Sequence, residues 1–83
     1  MLLPAAIFFI SQMSFLELES AWWDCDTLYQ QDMLKNTKYV ECKKIDERFR
    51  THFSDEEVFL DYWNLSKKDQ WKKRGYNPKF EEL

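Results

Sequence analysis

The sequence predicts an all-α protein, in which one disulfide bridges an antiparallel α-hairpin and a third C-terminal helical segment packs on it. The 83 residues include one Gly and two Pro, too few for a turn-rich β structure. Ser residues stand three positions before an acid at several points, a pattern that begins helices. Both cysteines fall on apolar stripes with helical spacing. We expect a single helical domain over residues 14–83, after an apolar tail over residues 1–13.

The predicted tail contains the run LLPAAIFFI, which is too short to span a bilayer. The run has the length of the apolar part of a secretory signal, yet no Lys or Arg precedes it. Three interpretations stay open at this point. The tail is a secretory signal cut near Ala21, an apolar segment that contacts a membrane, or an artefact of the gene model.

The first helix is predicted to begin after Ser14. Ser14 and Glu17 have the spacing of a capping box, in which each side chain binds the backbone N–H of the other residue. Apolar residues then follow at steps of three and four, which places them on one face of a helix. This stripe comprises Phe15, Leu18, Trp22, Cys25, Leu28 and Tyr29.

A second helix is predicted after a polar turn over residues 30–37. Asn36 and Thr37 are residue types that break one helix and cap the next. Because a short turn joins the two helices, we expect them to pack antiparallel. The apolar stripe of the second helix comprises Tyr39, Cys42, Ile45, Phe49 and Phe53.

The third element is predicted to begin at Ser54, where Glu57 completes another capping pattern. A weaker start signal occurs at Ser66, and Gly75 is suited to the end of the helix that begins there. The aromatic residues of this element are expected to pack across the hairpin. They are Phe59, Tyr62 and Trp63.

The two cysteines, Cys25 and Cys42, lie on facing stripes of the predicted hairpin. If they oppose each other, the same register brings Trp22 to Ile45, and the further pairs are also apolar or nearly so. We favour a disulfide, which would contribute roughly 3 kcal/mol by constraining the unfolded chain. A disulfide implies an oxidising compartment. Two reduced, buried cysteines in a cytosolic helical protein are the alternative.

Several function classes find no support in the composition. Two cysteines and one His are too few for a zinc site, and there is no Cys-x-x-Cys redox motif. The net charge is −3 and the basic residues are interspersed with acids, so we expect no nucleic-acid partner. His52 is the only His, and no phosphate loop or nucleophile–base pattern occurs. We therefore expect no catalytic residues and no enzyme.

Further motifs accompany the cysteines, in a specific order along roughly residues 15–80. They are an aromatic-x-Cys element at Trp23–Cys25, a Cys-Lys-Lys-aliphatic element at Cys42–Ile45 followed by Phe49, an aromatic segment at Phe59–Trp63, and a Gly-aromatic-x-Pro element at Gly75–Pro78. This arrangement resembles the coiled-coil-helix-coiled-coil-helix proteins of the mitochondrial intermembrane space. Within that group it is most similar to the cytochrome c oxidase assembly factor 6 family and to oxidase subunit VIb.

The chain departs from this family at the outer of its two disulfides. Cys25 and Cys42 match the inner pair, whereas the outer positions, 15 and 53 (or 52), hold Phe15 and Phe53. A buried Phe contributes about 1.5–3 kcal/mol, and an aromatic pair adds about 0.5–1.5 kcal/mol. We therefore expect an aromatic clasp of Phe15 and Phe53 to offset the missing bridge.

The resemblance implies a location in the intermembrane space and a role in cytochrome c oxidase assembly, where the copper site of a subunit matures. The implied partners are oxidase subunits or copper chaperones. Thiol exchange or Cu(I) binding would have to use Cys25 and Cys42, and no other cofactor is expected. The resemblance also implies that the import oxidoreductase or a partner recognises an apolar face that includes Leu18 and Trp22. The same residues equally suit a plain core.

Two other functions fit the same residues. A structural accessory subunit of a respiratory complex would use the hairpin as a rigid wedge and the disulfide as a mechanical link. A small secreted helical protein with one disulfide, cut near Ala21, would lose Phe15 and Leu18. Resistance to reduction separates the accessory subunit from a thiol-exchanging factor. N-terminal sequencing would identify the secreted protein.

Overall fold

Three α-helices form the described part, residues 12–78, of the computed structural model. α1 spans Phe15–Gln30, α2 spans Asn36–Arg50 and α3 spans Glu56–Lys73. No strand occurs among residues 12–78. The prediction of an all-helical protein is therefore confirmed. Of the predicted tail over residues 1–13, all but the last two positions lie outside the described residues, as do residues 79–83 of the predicted domain.

The beginning and end of α1 follow from local chemistry. The Glu17 backbone N–H donates to the Ser14 hydroxyl at 3.2 Å, and the Ser14 N–H donates to the Glu17 carboxylate at 3.1 Å. This capping box is the predicted one, and its hydrogen bond from the Ser14 backbone lowers the pKa of Glu17. At the other end Asp32 adopts a left-handed conformation with φ 56°, which Asp tolerates better than most residues.

The starts of α2 and α3 differ by one residue from those predicted. Lys35 occupies the cap position of α2 without a side-chain hydrogen bond, so Asn36 lies inside the helix. At α3 the Asp55 carboxylate accepts from the Val58 N–H at 2.9 Å, so Asp55 and not Ser54 is the cap. An Asp is as effective a cap as a Ser, and its charge also suits the positive end of the helix dipole.

The helix start predicted at Ser66 is wrong, because α3 continues through this residue. Contacts that pass from one side of Ser66 to the other favour a continuous helix. The Lys67 ammonium lies 4.3 Å from the centroid of the Trp63 ring, and Trp63 packs edge-on against Trp71. The helix ends as predicted beside Gly75, whose φ of 76° is the left-handed conformation that Gly adopts without strain.

α1 and α2 pack together, and the Cys25–Cys42 disulfide joins them. The Cα atoms of the two cysteines are 5.7 Å apart. At the other end of the pair the Phe15 ring lies 5.5 Å from the Phe49 ring, measured between centroids. Early residues of α1 thus meet late residues of α2, so the two helices run antiparallel.

The core lies between the hairpin and α3, and it buries two faces of α1. The predicted stripe includes Leu18 and Trp22 on the face toward α2. Trp23, which the stripe leaves out, is 0% exposed because α3 covers the adjacent face, where Tyr62 contacts the Trp23 ring. The buried apolar residues are Leu18, Trp22, Trp23, Cys25, Cys42, Ile45, Phe49, Phe59 and Trp71.

Tyr29 and Tyr39 were predicted on the buried stripes but are 66% and 52% exposed. Both lie on the turn side of the disulfide and line an open groove there. Helical spacing correctly places them toward the neighbouring helix. It does not show whether a third element covers that end of the hairpin.

Indole N–H groups tie the three helices together. Trp22 of α1 donates to the Asp46 carboxylate of α2 at 2.8 Å. Trp23 donates to the Tyr62 hydroxyl at 2.8 Å, and that hydroxyl donates to the Glu19 carboxylate at 2.6 Å. Burial, followed by the hydrogen bond to Glu19, raises the pKa of Tyr62, so the phenol stays protonated and can donate. The ring of each of these residues thus contributes apolar contact area, and its N–H or O–H group holds the neighbouring helix through a hydrogen bond.

The hydroxyl of Tyr62 can be tested by the substitution Tyr62→Phe. This change removes the acceptor of the Trp23 indole and leaves a buried donor unpaired, so we expect a loss of about 1–3 kcal/mol in the free energy of unfolding. Urea denaturation followed by Trp fluorescence measures it. The matched control, Tyr29→Phe on an exposed residue, should change stability by less than about 0.5 kcal/mol. Equal effects of the two substitutions would contradict the assigned hydrogen-bond chain.

Candidate functional site

An open groove of about 290 Å³ lies beside the disulfide, between α1 and α2. Both cysteines form part of its wall. Tyr29 and Tyr39 line it from the two helices near the turn, together with Leu34 of the turn itself. Charged side chains also reach it, from Asp26 on α1 and from three residues of α2, which are Lys43, Asp46 and Arg50. The groove therefore combines aromatic surface with charge at the open end of the hairpin.

The disulfide itself is largely covered, since Cys25 is 8% exposed and Cys42 is 5% exposed. Thiol–disulfide exchange requires an attacking thiolate to reach one of the two sulfurs. Because both cysteines are almost fully buried, the disulfide is better suited to link the two helices mechanically than to exchange with another thiol. The disulfide was the favoured prediction, and its presence is confirmed.

Cu(I) binding does not fit these two residues as they stand. Cu(I) is held by soft thiolate or thioether ligands, and both thiols are consumed in the bridge. Among residues 12–78, no group of three or more His, Cys, Asp or Glu residues is arranged to hold a metal ion. We therefore assign no step of the function to copper on this chain.

Phe15 and Phe53, the two residues predicted to form an aromatic clasp, both lie on Phe49. The Phe15 and Phe49 ring centroids are 5.5 Å apart, and those of Phe49 and Phe53 are 5.3 Å apart. The ring contacts of the described residues include no direct pair of Phe15 with Phe53. The predicted clasp thus takes the form of three rings with Phe49 in the middle, while Phe15 stays 39% exposed.

Leu18 and Trp22 were singled out as an import or partner face. Leu18 is 0% exposed and Trp22 is 6% exposed, and both belong to the core. The Trp22 ring contacts the rings of Phe49 and Phe59. In the folded protein this face is covered. Recognition by an import oxidoreductase would concern the chain before it folds, and it stays a prediction.

Asp26 is the carboxylate in the groove whose charge is least compensated. It accepts from the Trp71 indole N–H at 2.7 Å, yet none of the ion pairs among residues 12–78 involves it. Burial raises the pKa of Asp26, and hydrogen bonds from Trp71 and other side chains only partly oppose this. Asp46 differs, because the Arg50 guanidinium pairs with it at 2.9 Å.

The raised pKa of Asp26 sets the sign of a pH effect on stability. The folded protein binds this proton more tightly than the unfolded chain, so the contribution of Asp26 to stability rises as pH falls through its folded pKa. It levels off below the unfolded pKa of about 3.9. At neutral pH the ionised group destabilises the fold.

The substitution Asp26→Asn tests this effect, since an amide oxygen can still accept from Trp71. We expect the variant to gain stability relative to the wild type at pH 7, and to lose that advantage as the pH approaches 4. Chemical denaturation at a series of pH values measures the difference. Asp61→Asn, on an exposed position of α3, controls for net charge. A difference that does not depend on pH would contradict the assignment.

Sequence reasoning missed Asp26 and treated the two tyrosines as core. A signal for Asp26 exists in the run WWDCD, where an acid directly follows a buried cysteine and lies beside two buried tryptophans. Such an acid lies at the border of the apolar face and is partly desolvated when the face is covered. No comparable signal exists for the exposure of Tyr29 and Tyr39.

Comparisons with known proteins find no match: the chain fits no family model, no curated protein sequence and no solved structure. Within residues 12–78, none of the helices has the length and apolar character needed to cross a membrane.

Proposed function

We propose that this protein resides in the mitochondrial intermembrane space and assists cytochrome c oxidase assembly by binding a partner protein. The observation that carries the proposal is the Cys25–Cys42 disulfide, which joins two neighbouring helices. These are the two cysteines that the sequence resemblance matches to the inner bridge of the coiled-coil-helix-coiled-coil-helix proteins. A disulfide in a short helical hairpin suits an oxidising compartment. The order of the surrounding motifs, described above, supports this compartment over others.

Binding is the mode of action that the burial of the sulfurs favours. Covered cysteines that are joined to each other are poor candidates for thiol exchange or copper transfer. The groove, in contrast, offers exposed Tyr29 and Tyr39, and aromatic residues are enriched among those that anchor protein interfaces. On this proposal the protein would help a copper site mature by holding a partner, such as an oxidase subunit or a copper chaperone.

A structural accessory subunit of a respiratory complex is the second candidate, and the covered disulfide also favours it. Such a subunit would remain in the mature complex, whereas an assembly factor would leave it. The two candidates therefore predict different behaviour of the protein on a native gel.

The secreted alternative is weakened by the position of Leu18. Cleavage after Ala21 would remove Leu18, which is fully buried, and the Ser14–Glu17 capping box. The remaining α1 would lose its first two turns and the ring contact of Phe15 with Phe49 of α2. A mature chain cut there would be hard to reconcile with the observed core.

The proposal is tested by locating the chain, tagged at its C-terminus, in fractionated cells. We expect it in mitochondria, resistant to added protease until the outer membrane is ruptured, with a mass that shows both thiols blocked before reduction. Its deletion should lower the amount of assembled oxidase, and a variant such as Tyr29→Ala should rescue less than the wild type. Recovery of the chain from the medium or the cytosol would refute the compartment. Stoichiometric co-migration with a mature respiratory complex would support the accessory subunit instead.

A further inference from the structure

We propose that the groove beside the disulfide binds a basic side chain, Lys or Arg, carried on an apolar segment of a partner protein, with the Asp26 carboxylate as its counter-charge. This inference rests on the proposed binding role, but it is independent of the compartment and of the oxidase. It names the chemistry of the partner at this site.

The apolar character of the partner segment follows from the surface around the groove. Exposed apolar and aromatic residues continue from its two walls into the turn and the start of α2. They are Tyr29, Met33, Tyr39 and Val40, each more than half exposed. A protein segment that covers this surface removes it from water, which is the main favourable term in such an interface.

The charge of the partner follows from what covering the groove does to Asp26. This carboxylate is already partly buried and is hydrogen-bonded by a neutral indole, that of Trp71. A partner that covers the groove removes the remaining water from it. An ionised carboxylate without a counter-ion is strongly unfavourable in such a place, so an apolar partner alone would have to leave Asp26 protonated and would bind more weakly. A Lys or Arg on the partner removes this penalty and adds a charge-assisted hydrogen bond.

Two basic residues line the groove, and neither of them forms an ion pair with Asp26. The Arg50 guanidinium pairs with Asp46 at 2.9 Å and with Glu56 at 2.7 Å, and it lies 4.1 Å from the centroid of the Phe59 ring. Lys43 is exposed and takes part in none of the ion pairs among residues 12–78. Arg50 is therefore held at the boundary of α2 and α3, and Lys43 is a like charge that an incoming cation must pass.

The two tyrosines suit a cation as well as apolar surface. Tyrosine rings attract a guanidinium or ammonium group that lies over their faces. Tyr29 and Tyr39 come from opposite walls, on α1 and α2, so an entering side chain has aromatic surface available on both sides. The Asp26 carboxylate would then favour a positively charged group, and the tyrosine rings would favour a long, partly apolar side chain.

The test uses the full-length, oxidised, isotope-labelled protein and three blocked tripeptides, Leu-Arg-Leu, Leu-Lys-Leu and Leu-citrulline-Leu. Citrulline keeps the shape of Arg without its charge. The Trp71 indole N–H resonance is the reporter, because it donates directly to Asp26. We expect the Arg and Lys peptides to shift this resonance with millimolar affinity, and the citrulline peptide to bind about tenfold more weakly. Equal shifts with all three peptides, or none with any, would overturn the proposal.

Variants separate the carboxylate from other causes. Asp26→Asn should weaken binding of the Arg peptide about tenfold, whereas the control Asp61→Asn should leave it unchanged. Lys43→Met should strengthen binding about twofold, because it removes a like charge. Weaker binding in Lys43→Met would show that a positive charge in the groove assists the peptide, which contradicts recognition of a basic side chain by the Asp26 carboxylate.

A second copy of this chain is the other occupant to consider, and the same spectra address it. Shifts of the Trp71 indole that grow with protein concentration in the absence of peptide would identify self-association and overturn the proposal. The purified protein is sufficient for all these measurements. They can therefore fail while the localisation experiment succeeds, and the reverse also holds.

Discussion

The substitution Phe49→Ala is expected to lower the free energy of unfolding by about 3–5 kcal/mol, the usual cost of removing a buried Phe ring. Phe49 is 0% exposed, and its ring contacts aromatic rings of α1, of α3 and of the segment that joins α2 to α3. These neighbours are Phe15, Trp22, Phe53, Phe59 and Tyr62. In a domain of this size, such a loss is a large share of the total stability.

Urea denaturation followed by circular dichroism measures the effect of Phe49→Ala. Leu65→Ala is the matched control, because Leu65 is 84% exposed and its truncation should cost less than about 0.5 kcal/mol. If Phe49→Ala does not fold in water, Phe49→Leu supplies an intermediate volume and a measurable loss. A loss at Phe49 no greater than that at Leu65 would contradict the packing described above.

The double substitution Cys25→Ala with Cys42→Ala is expected to cost about 2–4 kcal/mol. The two cysteines are 17 residues apart in sequence, and the bridge restricts the unfolded chain by closing that loop. Replacing both residues avoids a lone reactive thiol. Alanine also avoids leaving an unpaired hydroxyl at a buried position, as serine would.

The same measurement can be made without mutation, by comparing urea midpoints of the wild type before and after reduction. The double variant serves as the control, since its midpoint should not respond to the reductant. We expect the reduced wild type and the double variant to have similar stabilities. Unchanged stability after complete reduction would show that the bridge adds little, and the aromatic core alone would then hold the hairpin.

The groove contains a carboxylate, that of Asp26, whose ionised form lowers the stability of the disulfide-bridged hairpin. Asp26 destabilises the fold at neutral pH, because burial raises its pKa. A carboxylate retained at such a cost is typical of binding sites, where stability and function oppose each other. The disulfide beside it supplies part of the free energy that offsets this cost.

The position of the disulfide could be predicted because local spacing decides it. Two helices joined by a short turn must run antiparallel, and residues equally far from the turn must then face each other. Cys25 and Cys42 satisfied that condition. The contact of Phe15 with His52 follows from the same register.

The register of the two hairpin helices does not by itself predict the contacts of the aromatic clasp. Phe15 and Phe53 were expected to meet, yet each packs on Phe49. A third helix supplies Phe59 and Tyr62, which contact the Phe53 ring. Side chains in a core pack closely against all their neighbours, so the contacts of Phe15 and Phe53 depend on all three helices together.

The capping box at Ser14, the helix end at Gly75 and the pairing of the cysteines could be read from the amino-acid sequence, because each depends on neighbours within a few residues or on one short turn. The burial of Trp23 and the exposure of Tyr29 could not, because the burial of a helix face depends on which distant element covers it. α3 covers the face that bears Trp23, while the turn end of the hairpin stays open.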